Sequence, residues 1–130
     1  MSVGINIMRV GLGITFLWVG VLIFREPETW GKLLQPWTLG ILAVPLKTAM
    51  IQTAIMDFLI GFFLLVDRFT FLFLLLALAH LILVIIVVGI TAGTVSDIGL
   101  AAGALALVFA FWPKRKAPFV APLVDTTVPR

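Results

Sequence analysis

The sequence predicts an all-α, polytopic integral membrane protein built as a four-transmembrane-helix bundle. Three observations lead there. Of 130 residues, 62% are hydrophobic and only 12% charged, whereas a water-soluble domain carries about a quarter charged residues. Mean hydropathy is +1.25. The apolar residues fall into four nearly unbroken runs; since a spanning helix takes about 20 residues, the length holds four spans and leaves no room for a soluble catalytic or nucleotide-binding domain.

In order, the spans cover residues 5–24, 46–66, 70–90 and 98–112. Each must be helical, because lipid offers no partner to an unpaired backbone group. The first run exceeds the apolar core of about 7–15 residues found in a cleavable leader, no small-x-small site follows it, and it is read as a retained helix. It stops at Arg25-Glu26-Pro27. Asp67-Arg68 separates the second and third runs. Ser96 and Asp97 offer an N-cap and an acidic first turn to the fourth, which Pro113 and Lys114-Arg115-Lys116 close. This last run is the shortest, about 23 Å by helical rise, which places it among its neighbours.

The connection over residues 25–45 is the one long loop. Trp30, Leu33, Leu34, Trp37, Leu39, Ile41 and Leu42 interleave with Lys32, Gln35 and Gly40. That pattern suits a segment at the headgroup boundary, either an extracytoplasmic cap on the bundle or a pair of tryptophan anchors. Residues 1–113 thus form one membrane domain. The tail, 114–130, contains Pro118, Pro122 and Pro129 and is expected to lack regular structure. Arg9, Arg68, Lys114, Arg115, Lys116 and Arg130 fall on the side of both termini, against Arg25, Lys32 and Lys47 opposite. The positive-inside rule therefore puts the termini in the cytoplasm and the chain in the cell membrane.

Helix association in lipid relies on small residues. Gly4, Gly11, Gly13 and Gly20 in the first span, with Gly99, Ala102, Gly103, Ala106 and Ala110 in the fourth, predict these two as the tightest pair. Asn6, Arg9, Gly13, Phe16 and Gly20 share one stripe; Thr53, Asp57 and Gly61 share another on the second span. The third span is almost wholly Leu, Ile, Val and Phe apart from His80. Phe69, Phe71 and Phe73 at its start read as part of an interfacial aromatic belt.

Asp57 and His80 each lie near the eleventh residue of their spans, at the bilayer midplane. An ionised carboxylate there costs several kcal/mol unless paired or neutralised. Two ionisable groups at one depth on consecutive antiparallel helices predict a shared interior site, either functional or a self-satisfied structural pair. Arg9, about 8 Å from the middle of its span, either turns inward or snorkels. Asp97 is either a plain N-terminal acid or part of the site. With no Cys and one His no metal-ligand set is expected. Ser2 and Ser96 are the only serines, which argues against a hydrolytic triad, and no glycine-rich phosphate loop occurs. The net charge of +3 comes from helix flanks and gives no reason to expect nucleic acid. Proton-coupled chemistry on an apolar ligand, small-molecule passage and assembly with another subunit remain.

The order of the motifs adds to this. Arg9-Val10-Gly11-Leu12-Gly13, then Phe16-Leu17-Trp18-Val19-Gly20, Pro27 and Trp30, then Asp57 with Gly61 four positions on, Ala79-His80-Leu81, and Asp97-Ile98-Gly99-Leu100 follow one another between Met8 and Phe111. In this the chain resembles the DoxX-like family of small four-helix membrane proteins. It departs from the family at Leu22 and Ile23, where a polar or basic residue is common, and at Ser96, where a basic one is.

The resemblance implies a four-helix bundle in a prokaryotic cytoplasmic membrane, in a family best known from a quinone-reducing thiosulfate oxidoreductase. It implies a subunit of a quinone-linked oxidoreductase that holds a quinone or similar lipid-like ligand in its interior. On that reading Asp57 and His80 exchange protons with the ligand oxygen and Arg9 supplies a compensating charge. Phe16 and Trp18 contact the ring, while Thr53 and Asp97 complete the candidate set. Electrons would come from a redox partner subunit, since the chain carries no redox centre; the lipid bilayer and a second copy are further candidate partners. Two alternatives stand beside it. One is a non-enzymatic scaffold or assembly subunit in which Asp57 and His80 fix helix register. The other is a small proton-coupled transporter, opposed by the aliphatic third span.

Overall fold

Six helices make up the regular structure of the computed structural model, which describes residues 2–114. They are α1 (Val3–Arg25), α2 (Pro27–Gly31), α3 (Pro36–Leu39), α4 (Leu46–Val66), α5 (Thr70–Val88) and α6 (Val95–Ala110), and no strand occurs among the described residues. Helices α1, α4 and α5 are long and apolar enough to cross a membrane, and α6 is apolar but shorter. Of the expected tail, all but Lys114 lies outside the described residues.

Local chemistry accounts for the ends. The Ser2 hydroxyl accepts from the Ile5 N–H and caps α1. Asp67 adopts the left-handed conformation (φ 55°) and ends α4, its N–H and that of Arg68 both donating to the Phe63 carbonyl. The Thr70 hydroxyl then donates to the Asp67 carboxylate across the turn into α5.

Two boundaries differ from the sequence expectation. Helix α5 stops at Val88 rather than residue 90, because Gly89 takes φ +81°, which side-chain-bearing residues rarely adopt. Helix α6 begins at Val95 rather than 98 and ends at Ala110 rather than 112. Ser96 is not its N-cap. Thr94 holds that position, its hydroxyl donating to the Gly89 carbonyl at 2.6 Å and accepting from the Thr91 N–H at 2.7 Å. Ser96 lies inside the first turn and donates back to the Gly93 carbonyl at 2.8 Å.

The packing overturns one expectation. The tightest pair is α1 with α4, followed by α5 with α6, while α1 and α6 touch lightly. The cause is direct backbone contact at three glycines. A Cβ on Gly61 would sit 2.6 Å from the Gly13 carbonyl oxygen and 2.8 Å from the Leu17 Cα; one on Gly20 would sit 2.8 Å from both the Ala54 carbonyl oxygen and the Phe58 nitrogen. By contrast, Gly4, Gly11 and Gly99 have nothing within 4 Å, and Met8 occupies the space beside Gly103. A cleft of about 400 Å³ therefore opens between α1 and α6. Small residues permit close approach, but a matching flat surface must stand opposite; α4 supplies one and α6 does not.

The connection between α1 and α4 packs on the helices through some of its apolar residues and exposes others. Trp30 and Leu34 pack over the buried Ile23, Met50 and Ala54. The Gln35 N–H donates to the Val87 carbonyl at 2.9 Å and ties the connection to the end of α5. Trp37 instead stays half exposed, its indole N–H donating to the Gln35 side chain at 2.6 Å.

Two glycine substitutions separate these environments. Gly61→Ala is expected to destabilise the fold by about 1–3 kcal/mol through overpacking. Gly11→Ala, facing open space, should be neutral or stabilising by up to about 1 kcal/mol through helix propensity. Unfolding in detergent micelles measures both, and equal effects would contradict the packing described.

Candidate functional site

The buried face of α4 carries Met50, Ala54, Asp57, Gly61 and Leu64 at helical spacing, and that of α5 carries Thr70, Leu74, Ala77, His80 and Leu81. Asp57 and His80 thus point inward for the same reason as their apolar neighbours. They are 2% and 7% exposed. His80 Nε2 lies 2.9 Å from Asp57 Oδ1. Helix α1 contributes the third wall, the Phe16 ring tilted 55° to the imidazole with centroids 6.2 Å apart. The two side chains expected to meet are in contact here.

The contact leaves hydrogen-bonding capacity over. Despite the 2.9 Å approach of Nε2, Asp57 Oδ1 lacks a well-formed hydrogen bond, and His80 Nδ1 has no partner. Pairing still matters, because a carboxylate–imidazolium or carboxylic acid–imidazole pair carries no net charge into the apolar interior. One proton shared between the two groups satisfies that condition in either form.

Asp97 sits half-buried in the first turn of α6, within electrostatic reach of both Asp57 and His80. Thr53 lies one turn before Asp57, but its hydroxyl donates to the Ala49 carbonyl of its own helix at 3.0 Å.

Two expected roles are corrected. Arg9 does turn inward and is 8% exposed, yet it does not compensate Asp57. Its guanidinium donates to the Leu64 carbonyl and, at 3.4 Å, to that of Leu65, with Nε 3.8 Å from Asp67 Oδ1. Leu64 lies seven residues beyond Asp57, about 10 Å along the axis. There the unpaired carbonyls and negative end of α4 attract a cation. Trp18 is 62% exposed while Phe16 is 4% exposed. Two residues turn a helix by about 200°, so the two aromatics cannot contact the same interior ligand.

The sequence reading missed the part Asp67 plays. Treated as a turn residue, it receives both Arg9 and Thr70 and locks the ends of α1, α4 and α5 together. The available signal was Thr70 three residues after the acid, a spacing at which a hydroxyl reaches back across a turn. Among the described residues, no three His, Cys, Asp or Glu side chains converge as metal ligands.

A double-mutant cycle on Asp57→Asn and His80→Gln tests the pair. The coupling energy is expected to lie within about 0.5–3 kcal/mol, each substitution costing less when the other is present. At the other site, Arg9→Met should destabilise by about 1–3 kcal/mol through its lost carbonyl bonds, and Arg9→Lys should restore only part of that. Thermal or denaturant unfolding of the purified protein measures both. No family model, curated protein or solved structure matches this chain, so the functional reading rests on these residues.

Proposed function

We propose that the chain is a DoxX-like, redox-associated membrane subunit, a bundle of four spans in a prokaryotic cytoplasmic membrane with both termini in the cytoplasm. Its task is to bind a quinone or similar lipid-like ligand beside Asp57 and His80. One observation carries the reading: an almost fully buried carboxylate–imidazole contact of 2.9 Å in which His80 Nδ1 has no partner. A buried ring nitrogen without a partner is costly unless something completes it. A carbonyl or hydroxyl oxygen on an apolar ring fits that demand, with Phe16 as the neighbouring aromatic surface.

A quinone, when bound, supplies two-electron chemistry coupled to protons. The protein's part is proton handling. His80 holds or releases a proton at Nδ1 toward the ligand oxygen, and Asp57 at Nε2 stabilises the protonated imidazole. Asp97, in the first turn of α6, is a third titratable group within electrostatic reach of the pair. Electrons must come from a partner subunit.

A scaffold role is favoured by a different observation. The grooves between α1 and α6 and between α1 and α4 are lined without Asp57 or His80, as expected if the pair only satisfies itself. Proton-coupled transport has less support, since α5 offers no polar residue between Thr70 and His80.

Quinone extracted with the purified protein, followed by quinone titration of Asp57→Asn and His80→Ala, separates the readings. The ligand-binding reading expects affinity to fall by about tenfold or more, the loss of one charge-assisted hydrogen bond. Unchanged affinity in both variants would remove the pair from ligand binding and leave the scaffold. Proton-driven uptake into proteoliposomes would instead establish transport.

A further inference from the structure

We propose that the groove between α1 and α4 binds an anionic phospholipid, one acyl chain lying along the groove and the phosphate held by Arg25 and Lys47. This goes beyond the reading above and does not depend on the ligand at Asp57–His80, which the groove does not touch.

The groove follows from the glycine contact that joins the two helices. Gly20 lies against the backbone of Ala54 and Phe58, and with no side chain it leaves a trough between the flanking residues. Val21 and Phe24 form one wall and Ile55 the other, enclosing about 310 Å³. Every lining residue is apolar except Arg25, the last residue of α1. Arg25 stands one turn beyond Val21 on α1. Lys47 precedes Ala54 by seven residues on α4, two turns along the same stripe. Both cations belong to the same end of the helix pair, and both are exposed.

Their charge is not spent within the protein. Among the described residues, the ion pairs are Arg9 with Asp67 and His80 with Asp57. Glu26 and Glu28 follow Arg25 in the chain, but neither comes within ion-pair distance of Arg25 or Lys47. An alkyl trough alone would take any lipid. Arg25 in the lining, with Lys47 exposed at the same end of the helix pair, selects a headgroup with net negative charge, because a zwitterionic headgroup places its own cation beside them. A hydrocarbon chain below and a phosphate above match the trough in polarity along its whole length.

The test uses the full-length chain in mild detergent, titrated with phosphatidylglycerol and phosphatidylcholine of identical acyl chains and read by native mass spectrometry. The expected preference for phosphatidylglycerol is at least about fivefold, the weight of one cation–headgroup contact. Arg25→Gln and Lys47→Gln should each lower its affinity by about three- to fivefold, while Lys32→Gln, outside the groove, should leave it unchanged. Ile55→Trp, which fills the trough from an exposed position, should weaken both lipids alike. Equal binding of the two lipids by the unaltered protein would overturn the proposal. So would equal loss in Lys32→Gln and Arg25→Gln, or no loss in Ile55→Trp.

Discussion

A carboxyl group in an apolar interior must be balanced by whatever its immediate neighbours provide, and for Asp57 that neighbour is the His80 imidazole at 2.9 Å. This constraint sets the depth at which α4 and α5 face one another, since sliding either helix by a turn would separate the groups by about 5 Å. It also decides what can stand around them. Ala54 and Ala77, one turn before Asp57 and His80, are buried at 1% and 0% exposure, and Phe16 packs against the imidazole from α1. The remaining core around them is leucine, isoleucine, alanine and valine, which makes no electrostatic demand.

The α1–α4 contact gives this arrangement its rigidity. With Gly13, Gly20 and Gly61 bringing two backbones together, Phe16 is delivered to the imidazole as a consequence of helix register. At the turn end the same register brings Arg9 to the last carbonyls of α4 and to Asp67. Hydrogen bonds to a charged group contribute about 1.5–3 kcal/mol, enough to hold a guanidinium inside rather than letting it extend to the boundary. The two buried polar sites therefore do different things. Arg9 completes backbone carbonyls that a helix end leaves open, with its buried Nε lacking a hydrogen bond, whereas at the middle site neither Asp57 Oδ1 nor His80 Nδ1 has one. That contrast is why a ligand is placed at the middle site and a structural role at the other.

The surface follows from the same packing. Glycines pressed against a neighbouring backbone create the trough under Arg25, and glycines without a neighbour line the opening between α1 and α6. A single residue type thus produces the tightest helix contact and an open cleft, depending on what stands across from it.

Much of this was legible in the chain. Four apolar runs correspond, to within a few residues, to three helices long enough to cross a membrane and the shorter α6, and counting along two of them put Asp57 and His80 level with one another, where they meet. Those inferences depend on rise per residue and on the cost of unpaired polar groups in lipid, both local properties. The packing partner of α1, the destination of Arg9, the outward direction of Trp18 and the cap at Thr94 belong to the tertiary structure. Each depends on how one helix is rotated about its axis against another, and an almost uniformly apolar surface leaves too little polar contrast along the chain to specify that rotation.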